Sequence, residues 1–410
     1  MTVMHCRCAG LDVHQKTIAV CVLLGEAGGT PRREKATFQT STSELLRVAD
    51  WLREREVTHA AMESSGVYWK PVWAVLGGQF ELLLANAAHI RNVPGRKTDM
   101  KDAEWIAELL RHGLIAGSFV PPLPVQNLRE VTRYRAQVTG ERSAVSNRIR
   151  KLLEGANIKL GSVASDVMGV SGQRMLDAIV AGETDLDRLA DMARAKLRNK
   201  REQLRAALEG RIRDHHRAML RLLLANWRFL DQLIKELDGE IESRLEPFRE
   251  AVDLLQTIPG INVLTAWNVV AEIGTDMSHF PTAAQISSWA GICPGNNESA
   301  GKHYSGTTRG GNVWLKRTLC QAAWAASRTR DSYYAAQFRR LAAKRGKKRA
   351  IIAVAHSLLV TIYMMVKNNR TCQELGSDYF EKQHADEFKR YLVRKLEAQG
   401  YKVTLQAHAA

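Results

Sequence analysis

The length and the charge of this chain narrow the classes of protein to which it can belong. It has 410 residues, more than one average domain needs, so two or three domains are expected. Its 59 Lys and Arg residues outnumber 43 Asp and Glu, and the formal charge of +16 favours a polyanionic partner, above all nucleic acid. The six cysteines are scattered and form neither a disulfide framework nor a zinc pattern, which predicts a reducing cytoplasm. With a nucleic-acid partner there, the protein is expected to associate with the nucleoid.

The first 125 residues alternate strands with helices. The N-terminus has no apolar stretch followed by a cleavage site, so no secretory signal is expected. Strands are predicted, as a hairpin and three later segments, at 8–24, 36–40, 57–62 and 80–85. A capping box of Ser41 and Glu44 opens the helix after the third strand. The order of elements predicts an α/β layered domain over 1–125.

Two aspartates, Asp99 and Asp102, lie three residues apart beside a basic cluster that includes Lys97. On a helix this spacing places both carboxylates on one face, one turn apart. They could bind a divalent cation, or Asp99 could cap the helix with Asp102 at its third position.

Two further carboxylates extend this pattern, with Asp12 in the middle of the first strand and Glu63 at the end of a later one. Each acid taken alone has an ordinary structural explanation, as a turn residue or a helix cap. In an RNase H-like fold, however, the first strand, a later strand and the last helix converge on one edge. Two cations about 4 Å apart can there clamp the attacking and leaving oxygens of a phosphodiester. Together, in a basic chain, the four acids favour a metal site.

Residues 126–250 are predicted to form a basic helix followed by a coiled-coil region. The segment from 126 to 153 carries seven cations against two acids, which suits either a helix that follows phosphates or a solvated basic face. A second helical block runs from Asp185 to about Leu245, and its apolar stripe repeats about every 3.67 residues, close to an eleven-residue period. The stripe comprises Ile212, His216, Met219, Leu223, Trp227, Leu230, Ile234, Leu237, Ile241 and Leu245. We expect a long helix packed in a hairpin or between subunits.

Residues 251–372 are predicted to form a mainly α-helical domain that opens with a helix-hairpin-helix-like segment. A helix, the Pro259-Gly260 hairpin and a second helix from about Thr265 would direct backbone N–H groups at a phosphate. Asn262 stands where that motif usually has its second glycine.

A glycine-rich segment follows at 291–319, and within it no acidic residue comes after Glu298. Flexibility alone would explain its glycines but not the missing acids, so we expect the backbone and its cations to approach a phosphate closely. The cations predicted to bind nucleic acid here, and in a later basic run, are Lys302, Arg309, Lys316, Arg317, Lys347 and Lys348.

The longest apolar run, 350–366, contains His356, Ser357 and Thr361 and is slightly short for a membrane span. It predicts a buried helix, and no membrane partner is expected. Residues 373–410 are predicted to form a helical tail.

Five sequence motifs in fixed order carry a family resemblance: AGLDVHQKT, AMESSGVYW, RKTDMKDAEWIAELL, IPGINVLTA and a Ser-Ala-Gly-Lys loop. Over about residues 8 to 370 the chain resembles the DEDD transposases of the insertion-sequence family one-ten, the Piv-type recombinases. The resemblance implies a RuvC-like first domain, a coiled-coil region and a C-terminal transposase domain. It implies an enzyme that cuts DNA strands and transfers them.

The same resemblance assigns roles to residues. It implies that Asp12, Glu63, Asp99 and Asp102 bind Mg²⁺ or Mn²⁺. It implies that a serine hydroxyl attacks DNA to give a covalent phosphoserine. The matching serine is Ser299 in NESAGK, where Ala300 replaces a glycine of the family motif, and Ser305 is the reserve candidate.

The partners implied by the resemblance are donor DNA, target DNA, a noncoding guide RNA that pairs with both, and further copies of the chain in a dimer or tetramer. Composition and periodicity give no sign of the RNA. Two rival hypotheses remain: a RuvC-like endonuclease in which metal-activated water attacks and Ser299 is passive, and a non-catalytic nucleic-acid scaffold.

Overall fold

The described part of the protein consists of a mixed five-stranded sheet, a short two-stranded hairpin and a set of helices. The computed structural model describes residues 2–64, 66–86, 90, 102–294, 297–299, 302–305, 307–308, 310–383 and 385–404. The chain divides into two units, Met1–Val120 and Pro121–Ala410. The sheet lies in the first unit and the second is mostly helical, which confirms the predicted class at that level. The finer division at 250 and 372 stays a prediction.

The sheet of the first unit has the strand order β3-β2-β1-β4-β5. Its strands are β1 (Arg7–Val13), β2 (Thr17–Leu24), β3 (Arg32–Gln39), β4 (His59–Glu63) and β5 (Glu81–Ala85). The first three form an antiparallel meander, and β4 and β5 add in parallel beside β1. Parallel strands need crossover connections, supplied here by α1 (Thr42–Glu54) and α2 (Trp69–Leu76).

The two faces of the sheet are covered by different helices. Alternate residues of a strand point to opposite faces, so each strand contributes to both sides. On one face, α1 and α2 pack over a core that includes Leu11, Val20 and Met62. On the other, α3 (Asp102–Arg111) packs over Cys8, Cys21 and neighbouring residues.

The predicted capping box at the start of α1 is wrong. Ser41 occupies the N-cap position, but its side chain accepts no hydrogen bond from the helix. Its hydroxyl lies 3.2 Å from Ser43 Oγ, and Arg47 donates at 2.6 Å to the carboxylate of Glu44. The cation one turn along the helix thus holds the carboxylate that a capping box would turn back to the N-cap.

Two long antiparallel helices, α4 (Leu123–Gly155) and α9 (Asp214–Leu245), pack against each other in the second unit. The long helix is therefore packed in a hairpin within one chain. Shorter segments connect the two: α5 (Leu160–Val163), α6 (Val170–Val180), α7 (Leu186–Asp191), a 3-10 turn at Ala195–Lys200 and α8 (Arg201–Leu208). The helical block predicted from Asp185 is thus broken before α9 begins.

The predicted apolar stripe of α9 is correct in part. Ile234 and Ile241 are buried, but Met219 is 49% exposed whereas Leu220 and Leu224 are buried. Because α9 packs on α6 as well as on α4, its early turns have a wider buried face than one stripe describes.

The rest of the second unit is a helical array around one apolar helix. Its elements are a 3-10 turn at Glu246–Phe248, α10 (Arg249–Gln256), α11 (Val263–Ile273), α12 (Ala283–Trp289), a hairpin of β6 (Asn297–Ser299) and β7 (Lys302–Ser305), α13 (Val313–Ala326), α14 (Tyr333–Arg345), α15 (Lys347–Asn368), α16 (Tyr379–Gln383) and α17 (Ala385–Glu397). Within the described ranges, α15 alone is long and apolar enough to cross a membrane. Half of its most apolar window is buried in the protein, as the sequence predicts for a core helix.

Candidate active site

Asp12 and Glu63 stand at adjacent positions on neighbouring strands. In the parallel pairing of β1 with β4, Leu11 lies opposite Met62, so the next residue of each strand is one of the two acids. Side chains at paired positions of parallel strands point to the same face of the sheet. That face is the one covered by α3, because Gly10 and Ala61, two residues earlier on their strands, are paired there.

The direction of α3 follows from its contacts with β1. A Cβ on Gly10 would lie 2.1 Å from the carbonyl oxygen of Ala103 and 2.4 Å from the amide nitrogen of Ala107, so the first turns of α3 rest directly on the strand. At the other end, the amide of Met4 donates to the carbonyl of Arg111 at 2.8 Å. The helix therefore runs antiparallel to β1, and its N-terminus lies toward the C-terminal end of that strand.

Asp102 is the first residue of α3 and so comes to the edge of the sheet that carries Asp12 and Glu63. Three of the four predicted carboxylates therefore approach one edge, each from a different element. The fourth, Asp99, lies outside the described residues, as does Lys97.

The far end of α3 is fixed by a buried cation. Arg111 is 1% exposed, and its guanidinium donates to the carbonyls of Cys6, Gly25 and Glu26 at 3.4, 2.9 and 3.2 Å. Arg33 pairs with Glu108 of the same helix at 2.7 Å. With its C-terminal half held by these bonds, the helix presents its acidic first turn in a defined position.

The chemistry of this edge fits a hard divalent cation. All predicted ligands are carboxylates, and Mg²⁺ takes oxygen donors, often only a few from the protein. Asp12 is 24% exposed and its carboxylate also lies 3.1 Å from His14 Nε2. Among the described residues, no three His, Cys, Asp or Glu side chains lie close enough together to hold an ion. The acids therefore offer the oxygen ligands that such a cation takes, and three of the four approach the same edge of the sheet. The described acids do not form a closed ligand shell by themselves.

Part of the predicted serine loop is a short hairpin. Ser299 ends β6 and pairs with Lys302 at the start of β7, while Asn297 pairs with Ser305. The side chains of these residues are outside what the structure describes, and Arg309 lies outside the described residues. The backbone thus places the two candidate serines on opposite strands of one hairpin.

The base of this hairpin loop is closed by backbone contacts. Pro294 and Thr308 form an isolated bridge. A Cβ on Gly311 would lie 2.4 Å from the amide nitrogen of Gly291, so the two arms of the loop approach too closely for a side chain. Lys316 donates from Nζ to the hydroxyl of Thr308 at 2.6 Å, and its predicted role in binding nucleic acid stays a prediction. The loop therefore leaves and re-enters the helical array at one point.

A buried carboxylate connects the loop to the basic helix α4. Glu272, 2% exposed, accepts from Arg133 Nε at 2.7 Å and Nη2 at 2.8 Å. Asn312 Nδ2 donates to its Oε2 at 2.5 Å, and Arg129 Nη2 donates to its backbone carbonyl at 2.6 Å. Burial lowers the pKa of Arg129 to about 10, with the charge of Arg133 acting in the same direction and Glu272 opposing both. We call Glu272, Arg129, Arg133 and Asn312 the Glu272 cluster.

Sequence reasoning missed Glu272, although one signal was present. It is the single charged residue of the apolar helix α11, and an ionised side chain among apolar neighbours requires a partner. Nothing local in the sequence names that partner.

Four arginines of α4 are paired with carboxylates of the second unit, the first two being Arg129 and Arg133 of the Glu272 cluster. Arg135 pairs with Asp238 and Arg142 with Asp231, both across the helix hairpin on α9. For Arg135 and Arg142 both hypotheses are therefore wrong, since a partly buried aspartate neutralises each of them. For the exposed cations of the helix both stay predictions. Exposed cations without a described carboxylate partner remain at the C-terminal end of α4, namely Arg148, Arg150 and Lys151.

The Pro259-Gly260 hairpin is present, and the nearby Asn262 acts as a helix cap. Gly260 has φ +88°, and a Cβ there would lie 2.5 Å from the amide nitrogen of Ala326, so the hairpin rests on the end of α13. Asn262 caps α11 by accepting from the amide of Thr265 at 2.9 Å. The helix accordingly begins at Val263, two residues earlier than predicted.

The other predicted phosphate ligands differ in their surroundings. Arg317 is exposed on α13, with its guanidinium 5.6 Å from the ring centroid of Trp314. Lys347 and Lys348 are exposed at the start of α15, shortly after the basic last turn of α14. No carboxylate in the described part of the chain pairs with either lysine. These three side chains are available to a polyanion.

Comparisons with known proteins match both ends of the chain. A model of the IS110-type DEDD proteins, described as Transposase, matches residues 9–158, and one described as Transposase IS116/IS110/IS902 family matches 252–339. The chain is 22% identical over 371 residues to the transposase for insertion sequence element IS1111A of Coxiella burnetii (strain RSA 493 / Nine Mile phase I), covering 88% of this chain and 90% of that protein. It is 28% identical over 286 residues to the insertion element IS116 uncharacterized 44.8 kDa protein of Streptomyces clavuligerus, covering 62% and 68%. Over 151 residues it is 29% identical to the pilin gene-inverting protein of Moraxella bovis, covering 35% and 47%.

Proposed function

Since the chain belongs to the IS116/IS110/IS902 family of transposases, we propose that it cuts and rejoins DNA as the recombinase of an insertion sequence. The observation that carries this proposal is the approach of Asp12, Glu63 and Asp102 to one edge of the sheet. The formal charge of +16 suits a DNA substrate.

The first unit is proposed to be an RNase H-like domain of the RuvC type, with Asp99 as its fourth acid. When bound to these four carboxylates, Mg²⁺ or Mn²⁺ would stabilise negative charge on the phosphate oxygens of the reacting strand. The carboxylates would hold the cation in a fixed position, and their negative charge favours a cation over free phosphate at this edge.

Ser299 is proposed as the nucleophile, with Ser305 in reserve. Its Oγ forms a bond to phosphorus as the bond from phosphorus to the departing strand breaks, and the serine proton ends on the departing oxygen. Rejoining reverses the step, since a strand hydroxyl attacks the phosphoserine and the serine oxygen leaves with a proton. No redox partner is needed, and the energy of the phosphodiester is kept in the covalent intermediate.

Further parts of the proposal concern partners and place. We propose a noncoding guide RNA that pairs with donor and target DNA, a dimer or tetramer, and a cytoplasmic location at the nucleoid. The free state of all six cysteines agrees with a reducing compartment. The two long helices are proposed as a coiled-coil region, and the Pro259-Gly260 segment as a helix-hairpin-helix-like contact to nucleic acid.

A denaturing gel tests the nucleophile. Labelled donor DNA incubated with the protein and Mg²⁺ should give a covalent adduct that Ser299→Ala abolishes and Ser305→Ala retains. Nicked DNA without adduct would favour the endonuclease in which water attacks. If Asp102→Asn and chelation of Mg²⁺ change nothing, the non-catalytic scaffold is the better account. Sequencing of nucleic acid that copurifies with the protein tests the guide RNA, which requires one discrete species.

A further inference from the structure

Asn312 performs two tasks with one side chain at the point where the serine loop joins α13. Its Oδ1 accepts from the amides of Trp314 and Leu315 at 3.0 Å each, which caps the helix. Its Nδ2 donates to Glu272 Oε2 at 2.5 Å. Its own amide donates to the carbonyl of Trp289 at 3.1 Å. The residue is therefore held from three sides, and the cap fixes which way its amide faces.

Glu272 is the part of this arrangement that reaches α4. Its two carboxylate oxygens accept from three N–H groups, two of Arg133 and one of Asn312, and no donor of its own is present when it is ionised. Arg129 and Arg133 lie on α4, Glu272 on α11, and Asn312 at the start of α13. A charge-assisted, bidentate pair in a buried place holds its geometry more strictly than an exposed ion pair does.

We propose that Glu272 is a positioning residue for strand cleavage, which through Asn312 fixes the end of the serine-bearing loop relative to α4. The inference rests on the proposed function for the identity of the nucleophile. The contacts from Arg133 through Glu272 to Asn312, which we call the tether, do not depend on it. Glu272 is buried and so acts on the loop without contacting DNA. A displacement of about 1 Å at a reacting group costs roughly 100-fold in rate.

Single substitutions at Glu272 or Asn312 place a donor against donors or an acceptor against an acceptor. In Glu272→Gln, the new NH₂ group faces N–H donors whichever way the amide turns. In Asn312→Asp, the cap of α13 is kept, because aspartate is a good N-cap, but two carboxylates face each other. Each variant should lower the rate of adduct formation at saturating DNA by about 10- to 100-fold and leave the DNA affinity within about twofold.

The exchanged pair restores the contact between positions 272 and 312 and one of the two bonds to Arg133. In Glu272→Gln with Asn312→Asp, the glutamine oxygen accepts from Arg133 Nε, and its NH₂ donates to the new carboxylate at position 312, which still caps the helix. The same NH₂ faces Arg133 Nη2, so the second bond of the bidentate pair is lost. One negative charge remains beside Arg129 and Arg133. The double variant should cleave at least about threefold faster than either single variant, whereas independent effects would make it slower than both.

The experiment compares wild type, both single variants and the double variant. Thr282→Asp is the matched control, since it adds a carboxylate at the N-cap of α12, a position that accepts from Gln285 of its own helix. The measurements are melting temperature, DNA affinity and single-turnover rate of adduct formation. Slow single variants with unchanged affinity, together with a recovered double variant, support the proposal. Rates that follow the melting temperature without recovery in the double variant overturn it.

Hydrogen exchange separates failure of this inference from failure of the proposed function. Amides of 302–305 should exchange faster in both single variants than in the wild type, and shift back toward the wild-type rate in the double variant. Amides of α1 should not change. Unchanged exchange at 302–305 in the single variants refutes the tether even in an active enzyme. A wild type that forms no adduct refutes the serine chemistry but leaves the exchange result to decide the tether.

Discussion

Replacement of Gly10 by alanine should separate α3 from the sheet and so disturb the carboxylate edge. The added Cβ would lie 2.1 Å from the carbonyl oxygen of Ala103, where ordinary contacts begin near 3.4 Å, so the helix must move by about 1.3 Å. The carbonyl oxygen of Ala103 and the amide nitrogen of Ala107, which block the added Cβ, belong to the backbone of α3. The buried side chain of Arg111 anchors the other end of the helix and limits how far it can move. The strain falls on the end of the helix that carries Asp102.

Two effects of this substitution oppose each other. Alanine restricts the unfolded chain and should stabilise by about 0.4–1 kcal/mol. Overpacking against an anchored helix should destabilise by roughly 1–3 kcal/mol or more, so the clash dominates. At roughly 4 °C for each kcal/mol, the net loss corresponds to a fall of several degrees in the melting temperature of the first unit. Cleavage by the folded protein should fall about 100-fold, because a carboxylate is displaced by more than about 1 Å.

The matched control is Gly29→Ala, in the turn between β2 and β3, where an added Cβ meets nothing within 4 Å. The assays are thermal melting followed by circular dichroism and cleavage of labelled DNA at a temperature well below the transition. If Gly10→Ala melts and cleaves as Gly29→Ala does, α3 does not rest on β1 in the way described, and the convergence of the acids loses its support.

Further substitutions test the remaining assignments. Asp102→Asn should leave the melting curve unchanged within error and abolish strand cleavage, whereas a loss of stability with intact cleavage would limit Asp102 to stabilising the first turn of α3. Arg135→Met leaves Asp238 unpaired in a partly buried place, so it should destabilise by about 1–3 kcal/mol in urea unfolding. It should not change the salt dependence of DNA binding, and a reduced salt slope would show that Arg135 binds phosphate. Neutralising Lys347 and Lys348 to glutamine should lower the slope of log affinity against log salt by about 1 for each phosphate that a lysine no longer neutralises. An unchanged slope would remove this surface from the nucleic-acid interface.

The succession of strands and the placement of the acids could be predicted because they depend on local pattern. Asp12 falls within an alternating strand and Glu63 at the end of an apolar one, and both positions are visible in a few residues of sequence. Parallel pairing of β1 with β4 then makes the two acids neighbours. The predicted strands at 8–24 and 80–85 are confirmed for the same reason.

The charge network could not be predicted in this way. Arg133 and Glu272 are 139 residues apart, and Arg135 and Asp238 are 103 apart, so a count of charges along α4 sees the cations without their partners. A basic segment with neutralising acids elsewhere in the chain has the same local composition as one that binds phosphate. The net charge of +16 remains, but it is carried by other side chains.

The same limit applies to the buried face of α9. The sequence holds apolar residues at Met219, Leu220, Leu223 and Leu224, and one stripe of fixed period must choose among them. Leu220 and Leu224 are buried because α9 packs on α6 as well as on α4. Periodicity identifies a helix reliably, and its neighbours decide which residues of a broad apolar surface are covered.

The closed base of the serine loop has a practical consequence for engineering. Because Pro294 is bridged to Thr308 and Gly311 abuts Gly291, the chain enters and leaves the segment at a single junction. Because of this single junction, the intervening residues can be replaced by segments of other lengths from related proteins. Grafts that keep Gly291, Gly311 and Asn312 should preserve α12 and α13.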